Sequence, residues 1–180
     1  FLTLSLSQKL SELLGPEAVL PPERLDGYAV DGVVPGAVVQ APSREAVAQV
    51  LRWASGERVS VFPRGGGTQM ALGNVPDSVG LALDLSRQTR LLDYQPADLT
   101  ATVEAGITLE QLQHELATGG EFLPLEAPLA ERSTIGGILA ANVTGPLRYS
   151  HGQPRDWLVG ISVVGAGGLE TKAGGKVVKN

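Results

Sequence analysis

Cysteine is absent from the 180-residue chain, which excludes disulfides, thiolate metal ligands and thiol nucleophiles. That absence suits any compartment and fits an intracellular protein best. Histidine occurs only at 114 and 151, too few to bind a metal without further ligands. Lysine is scarce, at 9, 172, 176 and 179, the ten arginines are scattered, and the net charge is −5. Nucleic acid is excluded on that ground, because phosphate contacts need a basic stripe. No apolar run approaches the ~20 residues needed to span a bilayer. Phe1 to Leu6 is apolar, but no charged segment precedes it and no small-residue cleavage site follows.

What is present is ordinary for a globular protein: 43% apolar and 18% charged residues. The length suits one full domain, or two small lobes sharing a core. The chain opens on Phe, and Lys176-Val177-Val178-Lys179-Asn180 reads as the middle of a strand or loop. The expectation is the N-terminal part of something longer.

Ser7 to Leu14 reads as a short helix stopped by Gly15-Pro16, and Pro21 to Gly36 is turn-rich. Val38-Val39 opens a strand–helix–strand pattern. Ser43 caps the helix, Val47, Val50, Leu51 and Ala54 line it, and Val59 to Phe62 forms the second strand. The simplest reading is a parallel pair with its crossover. Strand-like runs follow at Leu81–Leu85, Leu91–Tyr94 and Ala101–Val103. Thr108 to Gln111 is a capping box, Leu109, Leu112 and Leu116 form a buried stripe, and Gly119-Gly120 ends the helix. A strand at Leu158–Val164, a glycine turn at Gly165–Gly168 and a hairpin complete an α+β order.

Arg64-Gly65-Gly66-Gly67-Thr68 directly follows a strand. Three glycines let the backbone turn tightly, with positive φ open at Gly66, and bring several N–H groups onto one anion. Thr68 adds a hydroxyl donor, and Arg64 a charge that faces phosphate or braces the loop. Read alone, the motif is equally a flexible turn. It is not a P-loop: Glu170 stands where the first glycine is needed before Gly175-Lys176, and Val177 where Ser or Thr must follow. It is not a dinucleotide fingerprint either, because Met70 and Glu170 occupy the last glycine's place after Gly65/Gly67 and Gly165/Gly167.

A second segment, Thr134 to Gly145, offers Gly136, Gly137, Ala140, Ala141 and Gly145 as a surface almost without side chains, with Thr134 and Asn142 as donors. A large flat ligand can lie on such a surface, and tight packing of a short helix explains it as well. His114 reads as a solvated surface residue beside the leucine stripe. His151 lies in a loop close to the second segment.

These two segments resemble the FAD-binding domain shared by vanillyl-alcohol oxidase and p-cresol methylhydroxylase, the PCMH type, and within it the E-subunit branch of bacterial glycolate oxidase. The resemblance runs from about Asp31 to Asn180. It also rests on Asp31 to Pro35, Asp98 to Gly106, Gly145-Pro146, Arg155-Asp156 and Gly160 to Val164. It implies a lead-in over 1–30 and a PCMH-type domain over 31–180. That domain would have a small βαβ lobe (31–63) and a mostly antiparallel lobe with flanking helices (64–180), cut short at its C-terminus. It further implies that Arg64, Gly65, Gly66, Gly67, Thr68 and Gln69 hold the FAD diphosphate. Thr134, Ile135, Gly136, Gly137, Ala141, Asn142 and Gly145 would line the flavin and ribityl side. Ile161 and Val163 would offer strand backbone to the adenine, and Arg155-Asp156 reads as a structural ion pair. Relatives that bind flavin covalently use a histidine in such segments. Neither segment here has His or Cys, so non-covalent binding is expected, with no metal. The implied activity is oxidation of a small 2-hydroxy acid, with a homologous FAD-binding subunit and an iron–sulfur subunit as partners. The implied location is the cytoplasm, with any tie to the inner membrane made through partners. A flavin-holding or structural subunit that oxidises nothing itself is the alternative. No residue is singled out as catalytic.

Overall fold

The computed structural model describes residues 4–176. The expected strand or loop at Lys176–Asn180 therefore lies almost wholly outside the described residues, as does the start of the apolar Phe1–Leu6 run. The chain divides into two compact units. One comprises the segment up to Arg64 with Met70–Arg87 and Val163–Thr171; the other comprises Gly65–Gln69, Gln88–Ser162 and the segment from Lys172.

The first unit is built on a parallel three-stranded sheet of β1 (Ala37–Gln40), β2 (Val61–Arg64) and β3 (Leu81–Asp84). Its strand order is β1-β3-β2, so the expected pairing of β1 with β2 is corrected: β3 lies between them. All four β3 residues are buried, as a strand covered on both faces must be. Alternation sends Val39, Leu81 and Leu83 to one face, against α1 (Leu6–Leu14) and α2 (Arg44–Glu57). Val38 and Ala82 face Leu20, Leu25, Tyr28 and Phe62 on the other. Ser5 and Gln8 form a capping box on α1, and Ser43 caps α2 through the Ala46 amide. β2 starts two residues later than the sequence suggests. Arg58 closes α2 in the left-handed conformation (φ 57°), and the Val59 amide still bonds back to Ala54.

In the second unit β4 (Leu91–Gln95) and β5 (Thr100–Val103) pair antiparallel, with an irregularity between Leu91 and Asp93. Helices α3 (Leu109–Ala117) and α4 (Ile135–Ala141) bury Leu109, Leu112, Leu116, Ile135 and Ile138 in one cluster with Ile107 and Leu125. A one-turn helix, α5 (Arg148–His151), follows. β6 (Gly160–Val164) and β7 (Glu170–Gly174) form the final two-stranded sheet, whose Val163–Thr171 stretch is counted in the first unit and is closed by the Gly165–Leu169 and Gly168–Gly165 bonds. Among the described residues no helix is long and apolar enough to cross a membrane.

Candidate functional site

Arg64 ends β2 in the first unit, and its side chain turns to the segment that precedes β1. Nη1 donates to the Gly27 carbonyl at 2.9 Å, and the guanidinium lies 4.1 Å over the Tyr28 ring. The Tyr28 hydroxyl donates to Asp84 at 2.5 Å, and Asp84 also accepts from Gln40 and the Ser86 amide. Asp84 is only 2% exposed, so these donors carry its desolvation. Burial foremost, then the Asp84 hydrogen bond and charge, push the Tyr28 phenol up to about 12. Arg64 Nε is buried without a hydrogen-bond partner. The side chain thus braces its own unit.

The glycine loop belongs to the second unit and lies on Arg132–Thr134. A Cβ on Gly65 would collide with the Thr134 hydroxyl, and one on Gly66 with the Arg132 carbonyl. Positive φ falls at Gly67 (69°) and not at Gly66. Gly66 is therefore glycine for close approach, which corrects the torsional reason expected for it. Arg132 Nη2 donates to the Gly66 carbonyl at 3.3 Å. The Ser133 and Thr68 hydroxyls meet at 3.1 Å, and Ser133 lies 2.7 Å from the Pro128 carbonyl. That carbonyl only accepts, so it takes the single Ser133 proton and Thr68 donates to Ser133. The hydroxyl expected to serve an anion is thereby engaged within the protein.

The loop amides are different. Among the described residues, the N–H groups of Gly65, Gly66, Gly67, Thr68 and Gln69 donate to no protein acceptor, although all five residues are half-buried. Consecutive unmet donors are rare in folded proteins unless water or an anion takes them.

The second segment behaves in the opposite way. The Thr134 hydroxyl caps the Gly137 amide, the Ile135 amide donates to Ile107, and the Gly136 amide donates to Ala105. Its first amides are thus engaged internally, and Ile135 is core. A Cβ on Gly136 would stand 2.8 Å from that of Ala105, and one on Gly145 2.6 Å from Glu126. Tight packing accounts for both glycines. Gly137 is the exception: a Cβ there would meet only the Thr134 hydroxyl, at 3.1 Å. Ala141 is half-buried, and Asn142 ends α4 at φ 49° with its amide 3.3 Å from Gln153.

Ile161 and Val163 alternate along β6 and are exposed. Arg155 and Asp156 form only a loose, exposed pair at 3.8 Å, while Asp156 accepts from the Gln153 amide at 2.7 Å. His114 is exposed beside Glu110, Gln111 and Glu115. His151 is exposed too, its Nδ1 2.7 Å from the Ser150 hydroxyl and its ring edge-on to Phe122. No group of three acidic or histidine side chains suited to a metal occurs among the described residues. Sequence reasoning missed Arg132 and Ser133; their one signal was their place directly before Thr134.

Residues 35–174 match the model of a family described as FAD binding domain. The chain is 31% identical over 147 residues to the glycolate oxidase subunit GlcD of Bacillus subtilis, covering 82% of this chain and 31% of that one. It is 33% identical over 180 residues to a D-lactate dehydrogenase of Archaeoglobus fulgidus, covering 95% and 40%. It is 28% identical over 137 residues to the glycolate oxidase subunit GlcE of Escherichia coli, covering 76% and 39%. The chain thus spans 31–40% of the length of these relatives. Its fold is that of p-cresol methylhydroxylase (TM-score 0.76, 22% identity, 92% of this chain and 34% of that one). It is equally that of alkyldihydroxyacetonephosphate synthase (TM-score 0.77, 20% identity, 92% and 33%). From its matching residues and its α+β fold, the chain belongs to the FAD binding domain family of the PCMH type.

Proposed function

We propose that the chain holds FAD non-covalently, with the diphosphate on the amides of Gly65 to Gln69 and the flavin and ribityl part over Gly137, Ala141 and Asn142. The observation that carries this reading is the run of five amides without protein acceptors, all on half-buried residues. A diphosphate needs several convergent donors, and charge-assisted bonds to it are each worth ~1.5–3 kcal/mol. The residues fit the group: the loop supplies the donors, and Gly137 leaves space that a side chain would fill. The backbone of Ile161, in the same unit as the loop, serves the adenine. Thr134 and Gly136 act one step back by bracing the second segment, while Arg64 braces its own unit through Gly27 and Tyr28.

The names of the relatives support a substrate of the 2-hydroxy-acid class and a place as FAD-binding subunit of a glycolate oxidase-type complex. The partners are a homologous flavoprotein subunit and an iron–sulfur subunit, in the cytoplasm. When bound, FAD supplies the acceptor for the hydride that leaves the substrate carbon as the hydroxy acid becomes a 2-oxo acid. The chain's own part is to fix the cofactor by its diphosphate and keep side chains off the flavin. A second reading, a holder of flavin without turnover of its own, is favoured by one observation. The segments assigned to the flavin contain no His, Lys, Asp, Glu or Tyr to take the hydroxyl proton.

The reading is tested by the absorbance spectrum of the purified protein and by identifying the cofactor released in acid. The expected result is a flavin spectrum, with FAD freed completely. FMN in its place, or colour that stays with the precipitate, contradicts the reading.

A further inference from the structure

Gly66 and Arg132 meet twice: the Arg132 carbonyl occupies the space a Cβ on Gly66 would need, and its guanidinium donates to the Gly66 carbonyl at 3.3 Å. The second bond is long and comes from an exposed side chain, so it ties the loop only weakly. Arginine has further N–H donors in a rigid fork. Among the described residues, no carboxylate forms an ion pair with Arg132, the adjacent Glu131 included. An unneutralised cation therefore stands on the residue whose amide, with those of its neighbours, lacks an acceptor.

Amides give an anion direction but only partial charge, whereas a guanidinium gives both donors and a full charge. Gly65 to Gln69 contain no cation, and Arg64 is engaged by Gly27 and stacked on Tyr28. We propose that Arg132 supplies the positive charge of the diphosphate site and sets the preference of the chain for FAD over flavins that lack the diphosphate. This rests on the FAD reading above.

The test titrates wild type, Arg132→Gln and Arg132→Lys with FAD and with riboflavin at two salt concentrations, following flavin fluorescence. Gln keeps an N–H donor for the Gly66 carbonyl but no charge; Lys keeps the charge. The expected result is FAD binding weakened ~10-fold or more by Gln, with riboflavin binding changed less than about twofold. Lys retains most of the wild-type affinity for FAD. Salt weakens FAD binding to wild type, weakens it less in Arg132→Gln, and leaves riboflavin unaffected. The proposal is overturned if Gln binds FAD as wild type does, if FAD and riboflavin weaken in equal proportion, or if Lys fails as badly as Gln. The wild-type salt dependence keeps it falsifiable should a variant misfold. Failure of wild type to bind FAD at all overturns the FAD reading itself, a separate outcome.

Discussion

Glycine at 66 and glycine at 137 answer different demands, and substitution should separate them. A Cβ on Gly66 meets the Arg132 backbone, which has no flexible end to move aside. Gly66→Ala should therefore push the loop off Arg132–Thr134 and destabilise the protein by ~1–3 kcal/mol, the usual range for overpacking. Gly137 sits in α4 with only the Thr134 hydroxyl near its missing Cβ. Alanine is favoured over glycine in a helix by up to ~1 kcal/mol, so Gly137→Ala should leave stability within about 1 kcal/mol of wild type. It should nonetheless weaken FAD ~10-fold or more, because the methyl enters the space assigned to the flavin. Urea midpoints and FAD titrations of both variants check this. A Gly137→Ala protein that binds FAD like wild type would make that glycine incidental. Gly67 is the loop position where the left-handed torsion itself requires glycine.

At the scale of the element, the helices were legible because their signals are local. Ser43 and Thr108 cap where the sequence places them, and Leu109, Leu112 and Leu116 are buried as their spacing requires. The order β1-β3-β2 was not legible, because strands adjacent along the chain are the natural pair and only tertiary packing inserts β3. Its buried run Leu81-Ala82-Leu83 was the available hint. α4 was legible only as one of two alternatives. Its glycines argue against a helix, while the Thr134 cap and the buried Ile135 and Ile138 hold it in place. The glycine loop was legible from its residue types as a tight turn or a candidate anion site. Which amides stay free was not, since that depends on where every other carbonyl is engaged. The two segments look alike in sequence yet differ in this respect: the amides of Gly65 to Gln69 are open, and those of Ile135 to Gly137 are closed by Ile107, Ala105 and Thr134.

For the whole molecule, family membership brings FAD, and the open loop amides are the place proposed for it. Turnover is a different matter. Oxidation of a hydroxy acid needs the substrate held against the flavin and a base within ~3 Å of its hydroxyl, directly or through one water. His151, the histidine nearest the second segment in sequence, is exposed and paired with Ser150. These 180 residues span 31–40% of the length of relatives named as glycolate oxidase subunits and D-lactate dehydrogenase. The chain by itself, loaded with FAD and mixed anaerobically with glycolate, D-lactate or L-lactate, should not bleach its flavin at ~1 s⁻¹ or faster, the lower end of enzymatic turnover. Bleaching at such a rate by one of the three acids would place a base within this chain. The central claim is narrower, that FAD is held by the free amides of one loop. It is tested most directly by following the backbone amide resonances of the protein while FAD is added. The account predicts the largest shifts at Gly65, Gly66, Gly67, Thr68 and Gln69, with protection of these amides from solvent exchange. FAD bound tightly while these five resonances stay in place would contradict it.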